Sequence, residues 1–259
     1  QKNTSIKALV VGTIRTFSCD RDNLVKLVKL DACGILQGMC AEAEASPDVD
    51  ESEKEATVFA FAHVLYNLSC AEEVASLLVN KTCVVKHVSN LWARMTSVEK
   101  RKGASGRSYE KYMQLCAMAV CTPANGEVNT ARMVEHGATT ILCCAATLTN
   151  SVELKERCTA ALRNLLSLTT NHQPMVDEGV LAVLVKLGRE GESEEVEQNC
   201  ASALRTLTYN KKLKTLIMES GAMAVILDTA AKSAGHSHGD EHMSMELMSE
   251  LEAESWSTN

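Results

Sequence analysis

Apolar residues recur at intervals of three and four along most of the chain, which is the periodicity of an amphipathic helix. In the segment 193–208, the apolar positions that share one helical face are Val196, Cys200, Ala203, Leu204 and Leu207. Ser193 stands at the start of this segment, where a serine hydroxyl can cap a helix. The pattern predicts a helix here that begins after Ser193.

A second helical pattern lies directly upstream. Residues 180–188 are rich in Val and Leu, and the polar residues 189–192 separate them from the next helix. Gly179 comes just before this segment, after another short helical pattern. Because glycine readily takes the left-handed conformation found at helix ends, we expect one short helix to end at Gly179 and another to begin at once.

This three-helix pattern repeats with a period of 42 residues. The short helix ends in a glycine each time, at Gly137, Gly179 and Gly221. The third helix carries Ala-Leu-Arg-Asn-Leu at 161–165 and, again 42 residues later, Ala-Leu-Arg-Thr-Leu at 203–207. A related sequence, Val-Leu-Tyr-Asn-Leu, appears earlier in the chain at 64–68. Two independent markers in one register indicate a repeat architecture.

Such a unit cannot bury its apolar faces alone, so neighbouring units must stack. The sequence therefore predicts an all-α protein, a right-handed α-α superhelix of about five repeats with an N-terminal partial repeat. The predicted units are 20–70, 71–126, 127–170, 171–210 and 211–259, which form one array over 20–259. Residues 1–19 match only a third helix. We therefore expect the array to begin in mid-repeat, with an apolar face there that earlier repeats cover or that stays exposed.

Two insertions depart from the period. Residues 43–55 are acidic and are predicted to form a loop between the second and third helices. Residues 97–109 are predicted to form a loop at the equivalent place. They include Lys100, Arg101 and Lys102, which could be a nuclear address, an electrostatic contact or a chance cluster.

The amino-acid composition narrows the kinds of partner and the cellular location that we expect. Three Phe, four Tyr and two Trp provide few stacking residues, and the net charge is −7, so a nucleic-acid partner is not expected. The eleven cysteines include no Cys-x-x-Cys motif and lie among apolar residues, which indicates a reducing compartment, the cytoplasm or the nucleus. No apolar run is long enough to span a membrane, and the N-terminus has no signal-peptide character.

Motifs for catalysis are absent: there is no dinucleotide-binding loop, Walker A loop, zinc-protease motif or nucleophile elbow. We expect neither an enzyme nor a cofactor. The isolated histidines, which we expect to be structural, are His63, His87, His136 and His172. The cluster from His236 to His242 has metal-ligand chemistry, but its Gly- and Ser-containing setting favours a solvated linker, so no metal is predicted.

A polar stripe on the third helices is the best candidate site. If Cys158, Leu162 and Leu165 face the core, then Arg163 and Asn164 face away from it. Superposing the units places the following residues along the same stripe: Arg15, Thr16, His63, Tyr66, Asn67, Cys70, Ala160, Arg163, Asn164, Ser167, Ser202, Arg205, Thr206 and Tyr209. The alternative is that these side chains are only solvated.

The repeat length, the glycine between the first two helices and the Ala-Leu-x-Asn-Leu signature resemble the armadillo repeat family. HEAT repeats are the structural rival, but the glycine break and the third helix favour armadillo. In that family the third helices line a concave groove, and the asparagine of the signature typically holds the backbone of an extended peptide. The resemblance implies this role for Asn67 and Asn164, whereas Thr16 and Thr206 depart from the motif. Importin-α-like repeats place Trp where this chain has His63 and Ala160, which disfavours recognition of nuclear-localisation peptides.

The resemblance implies a non-enzymatic scaffold for a protein partner, as a monomer or as part of a longer repeat chain. The arginines Arg15, Arg163 and Arg205 suggest a cationic track, and therefore an acidic or phosphorylated extended segment as the ligand. One alternative resembles the armadillo domain of myosin-directed chaperones: an assembly factor for a large client, such as a myosin or cytoskeletal protein, that uses an apolar surface. Another is a metal-dependent domain that uses the cluster from His236 to His242.

Overall fold

The computed structural model describes residues 2–71, 74, 85–93, 106–124 and 130–234. All regular structure in these residues is helical, which confirms the all-α prediction. Residues 85–93 are helical, and short 3₁₀ turns lie at Thr169–Asn171 and Lys211–Leu213. The α-helices are α1 (Lys2–Ser18), α2 (Arg21–Lys29), α3 (Ala32–Ala45), α4 (Glu51–Ser69), α5 (Gly106–Ala124), α6 (Thr130–Glu135), α7 (Ala138–Leu148), α8 (Val152–Leu166), α9 (His172–Asp177), α10 (Val180–Glu190), α11 (Glu194–Thr208), α12 (Lys214–Ser220) and α13 (Ala222–Ala234).

Polar side chains set where several helices begin. Asp50 and Ser151 accept hydrogen bonds from backbone N–H groups in the first turns of α4 and α8. These bonds satisfy donors that have no partner inside the helix. Ser193 occupies the same position before α11, but its hydroxyl contacts a carboxylate oxygen of Glu156 instead. Ser193 therefore occupies the N-cap position as predicted, but its side chain does not cap the helix, because its hydroxyl is turned toward Glu156 and accepts no hydrogen bond from an N–H of α11.

The junctions between consecutive short helices are at residues with a left-handed backbone conformation, as the repeat predicts. Gly137, Gly179 and Gly221 have φ values of 89°, 89° and 80°. They separate α6 from α7, α9 from α10 and α12 from α13. Asp31 takes this place between α2 and α3 with φ 53°, and its carboxylate accepts a hydrogen bond from the N–H of Gly34. A short polar side chain can stabilise this conformation locally, so α2 ends and α3 begins there without a glycine.

Gly179→Ala is expected to lower the free energy of unfolding by about 1–2 kcal/mol, because a Cβ strains this backbone conformation. No heavy atom lies within 4 Å of the position of that Cβ, so the change isolates the backbone cost. Gly179→Asn is expected to cost less. Gly12→Ala is the matched control, since Gly12 is helical with equally open surroundings, and it should stabilise the protein slightly. Urea unfolding measures both, and equal stability of the two alanine variants would contradict the assignment.

The third helices stack on one another in chain order, from α1 through α4, α5 and α8 to α11. The second helices α3, α7 and α10 pack against the third helix of their own unit, and α13 covers α11. One continuous apolar core fills the space between these layers. Its largest fully buried side chains include Leu36, Phe61, Leu65, Leu142, Leu162 and Leu165. Stacking therefore presents the outer side of five third helices as one extended surface.

One of the two predicted insertions is helical at both ends. The acidic segment 43–55 is not a long loop, because α3 continues to Ala45 and α4 begins at Glu51. Acidic residues in the first turn of α4 suit the positive end of the helix dipole. Of the basic segment 97–109, residues 97–105 lie outside the described residues, as does the cluster from His236 to His242. The division into units over 20–259 stays a prediction.

Candidate functional site on the third helices

The third helices divide cleanly into a buried side and an outer side. On α8, Cys158, Leu162 and Leu165 are fully buried, whereas Arg163 and Asn164 are half-buried. The outer residues of α1, α4, α5, α8 and α11 are called the third-helix surface below. Eight of the nine candidate binding residues lie on these helices with part of the side chain exposed: Arg15, His63, Tyr66, Asn67, Arg163, Asn164, Arg205 and Thr206. The ninth, Tyr209, is exposed directly after α11. Their role in binding stays a prediction.

The two asparagines of the repeat signature hold equivalent positions on α4 and α8. The side-chain amide of Asn67 donates a hydrogen bond to Ser18 Oγ at 2.9 Å, across the seam between α1 and α4. Asn164 is half-buried at the corresponding place on α8. Thr16 and Thr206 donate their hydroxyls to backbone carbonyls of their own helices, both at 3.0 Å. The threonine hydroxyl protons are therefore already used, in contrast to a side-chain amide with two donors.

The surroundings of Arg163 are mixed in charge. Its Nη1 donates to Asn199 Oδ1 at 2.7 Å, so the guanidinium reaches toward the first half of α11. There it helps to line a cavity of about 550 Å³ together with Glu194, Glu195 and Gln198. The cationic track predicted from three arginines is therefore not uniform, since carboxylates accompany the central one.

A second cavity of about 330 Å³ lies between α5, α8 and α11 and carries several carboxylates. Glu153, Glu156 and Glu195 line it with Arg157, which pairs with Glu153 at 2.9 Å. Sequence reasoning missed these residues because it followed the repeat signature in the second half of each third helix. The signal was present: glutamates occupy the first turns of both α8 and α11.

Three aromatic rings meet where α4 packs against α5. Phe59 packs edge to face on His63, with ring centroids 4.7 Å apart, and on Tyr112 at 5.5 Å. The Tyr112 hydroxyl donates to the carbonyl oxygen of Glu55 at 3.0 Å, which fixes its ring against α4. We call Phe59, His63 and Tyr112 the aromatic platform. Sequence reasoning found only His63, although Phe59 lies one turn before it on the same face of α4.

The aromatic platform carries no charge at neutral pH. Burial lowers the pKa of His63, and the nearby positive charge of Arg15 lowers it further. Burial raises the pKa of Tyr112 to about 12, and the carboxylate of Glu55 adds to this shift. Both shifts favour the neutral side chain.

Two other histidines, His87 and His172, have structural surroundings. His172 is buried, and its Nε2 lies 2.8 Å from the carbonyl oxygen of Leu166. His87 contacts the side-chain oxygen of Gln37. The structure gathers no three potential metal-ligating side chains in its described part. Among the helices that it describes, none has the length and apolarity to cross a membrane.

Comparison with solved structures identifies the fold. The designed armadillo repeat protein YIII(Dq)4CqI matches with a TM-score of 0.58 over 95% of this chain and 92% of that chain, at 18% sequence identity. The chain has an armadillo-like repeat fold. A second designed armadillo repeat protein, YIII(Dq.V1)4CPAF in complex with the peptide (KR)4, matches with a TM-score of 0.57 over 94% and 90% of the two chains, also at 18% identity. No protein-family model and no curated protein sequence matches. The armadillo-like fold thus extends along nearly the whole chain, although its sequence is only 18% identical to each of these two designed proteins.

Proposed function

We propose that this protein is a non-enzymatic interaction scaffold that binds an extended segment of a partner protein along the third-helix surface. The observation that carries this proposal is the register of half-buried polar side chains on successive third helices, above all Asn67 and Asn164. The armadillo-like fold supports it, since one of the designed proteins with this fold is in complex with a peptide.

Side-chain amides suit this task because they both donate and accept hydrogen bonds, as a peptide backbone does. Asn67 is oriented by hydrogen bonds from its amide nitrogen to Ser18 Oγ and, at 3.7 Å, to Cys19 Sγ, and its carbonyl oxygen can accept a hydrogen bond from a peptide N–H. Such contacts satisfy the backbone of an extended segment and leave its specificity to neighbouring side chains.

We further propose acidic or phosphorylated residues in the bound segment, in contact with Arg15 and Arg205. Arg15 is exposed on α1, and Arg205 is half-buried on α11. A guanidinium can bind a carboxylate or a phosphate through two parallel hydrogen bonds. Arg163 is less suited to this contact, because it already bonds Asn199 beside Glu194 and Glu195.

The scaffold is tested by selecting extended peptides that bind and then measuring their affinity for Asn67→Ala, Asn164→Ala double variants. Losing two amide contacts to a peptide backbone is expected to weaken binding roughly tenfold or more. Asn150→Ala is the control, because Asn150 is an exposed asparagine between α7 and α8, outside the third-helix surface, and its replacement should keep the affinity within about twofold. Circular dichroism checks that the variants fold. Undiminished binding by the folded double variant would refute the proposed role of the asparagines.

A second candidate is an assembly factor for a large client, such as a myosin or cytoskeletal protein. The observation that favours it is a set of exposed apolar side chains on α1: Ile6, Leu9, Val10 and Phe17. A client would bury them against its own apolar surface. Suppression of client aggregation that is lost in Leu9→Ser, Phe17→Ser double variants, but kept when the asparagines are replaced, would favour this candidate over the scaffold.

We also propose a reducing location, the cytoplasm or the nucleus. The cysteines of the described residues are free thiols. Burial raises the pKa of Cys116, Cys143 and Cys200 to about 12, with nearby charges adding to the shift at Cys143. Thiols of this kind are unreactive and behave as small apolar side chains of the core.

A further inference from the structure

We propose that the aromatic platform is a specificity subsite, which binds an aromatic side chain of the extended segment while Arg15 binds an acidic residue of the same segment. This inference rests on the proposed scaffold function. It adds the chemical class of two ligand positions and the distance between them along the ligand.

The platform is built to accept another ring. Phe59, His63 and Tyr112 are each half-buried, so part of every side chain remains open to the third-helix surface. Edge-to-face packing at 4.7 and 5.5 Å, together with the bond from Tyr112 to Glu55, holds the rings in place before a ligand arrives. A fourth ring can pack on such a cluster in the same edge-to-face or offset manner.

The apolar character continues around the platform. Tyr66 follows His63 by about one turn on α4, and Leu115 and Met118 are partly buried on α5. The corresponding part of α8 and α11 differs, since Arg163 and Arg205 stand there. The third-helix surface therefore carries aromatic and apolar side chains around the platform, next to Asn67, and charged side chains on α8 and α11, so the two parts favour different side chains.

Charge decides what binds beside the platform. Arg15 lies on α1, the neighbouring third helix, close enough that its charge acts on His63. A cationic residue of the ligand would be repelled there, whereas a carboxylate would be attracted and could form a paired hydrogen bond. The occupant is therefore an aromatic residue accompanied by an acidic residue, and not by a basic one.

The spacing of the two ligand residues follows from the stacking. Packed helices lie about 8–10 Å apart, and an extended chain advances about 3.3 Å per residue, so neighbouring third helices correspond to two or three residues. Side chains of an extended segment point to the same side at every second residue. An acidic and an aromatic residue with one residue between them therefore fit Arg15 and the platform together.

The experiment uses labelled eight-residue peptides in which Phe is fixed and Glu is placed one to four positions away on either side. Fluorescence anisotropy with the full chain measures each affinity. Glu with one residue between it and Phe should bind tightest in one direction, and replacing Phe by Ala should weaken that peptide roughly tenfold. Replacing Glu by Lys should weaken it at least as much.

Protein variants separate the two contacts. Arg15→Gln should remove the preference for Glu and keep the preference for Phe. Phe59→Leu should remove the preference for Phe and keep the preference for Glu. Met218→Ala is the control, because Met218 is 53% exposed on α12, which is not part of the third-helix surface. Circular dichroism confirms folding, and the peptide series on the unaltered protein carries the test if Phe59→Leu does not fold.

The outcomes distinguish this subsite from the scaffold on which it rests. Peptides that bind equally with and without Phe, or better with Lys than with Glu, overturn the subsite while the scaffold stands. If neither this series nor any selected extended peptide binds, the scaffold fails and the subsite fails with it.

Discussion

Leu162→Ala is expected to lower the free energy of unfolding by about 3 kcal/mol, within the range of about 2–5 kcal/mol for leucines of this kind. Leu162 is fully buried on α8, the third helix that stacks between α5 and α11. Truncation removes apolar contacts and leaves a cavity that rigid neighbouring helices fill only in part. Urea-induced unfolding followed by circular dichroism measures the change.

Leu148→Ala is the matched control for this substitution. Leu148 lies at the end of α7 and is 57% exposed, so its truncation should change stability by less than about 0.5 kcal/mol. Hydrogen exchange should also quicken in α5 and α11 of the Leu162 variant, because each repeat is stabilised by its neighbours. Equal stability losses in the two variants would contradict the burial of Leu162.

Glu192→Ala is expected to destabilise the protein by about 2–3 kcal/mol, because it leaves a buried ammonium group without its partner. Lys155 Nζ lies 2.6 Å from Glu192 Oε2, and the Lys155 side chain is only 8% exposed. Glu192 itself is 39% exposed, which moderates the expected loss through solvent screening. Chemical denaturation at low and at moderate salt measures the effect.

Two variants test whether this loss comes from the uncompensated charge. Lys155→Met removes the charge and keeps the volume, so it should be nearly neutral. Glu190→Ala breaks the pair of Glu190 with Lys186, in which the lysine side chain is 59% exposed and the charged atoms are 3.7 Å apart, and should cost less than about 0.5 kcal/mol. A large loss in Lys155→Met would show that the ion pair itself stabilises the stack.

The sequence was sufficient to predict the fold because two markers kept one period. Gly137, Gly179 and Gly221 fix the break between helices, and a period of 42 residues predicts stacked units. The junction at Asp31 escaped prediction because an aspartate, whose carboxylate accepts a hydrogen bond from the N–H of Gly34, takes the place of glycine there. The short connection between α3 and α4 also escaped, since an acidic composition suits a helix start as well as a loop.

The candidate site could be predicted only as far as helical periodicity determines which side chains face outward. The 3.6-residue period places Asn164 outside and Leu165 inside without any knowledge of neighbours. The partner of Arg163 could not be predicted, because it depends on how far a long side chain reaches along α11 to Asn199. The aromatic platform has no counterpart in other repeats, so comparing units could not reveal that Phe59 and Tyr112 meet.

The left-handed residues at equal intervals give the chain interchangeable modules. If residues 138–179 were excised, Val180 would follow Gly137 directly and take the place of Ala138. The junction would be preserved, since Gly137 and Gly179 have nearly the same backbone geometry. The shortened protein would lose one whole unit, α7 to α9, and would keep a left-handed glycine, Gly137, directly before the next helix. Recombination at these glycines could thus lengthen or shorten the array by whole repeats without requiring a new type of junction between helices.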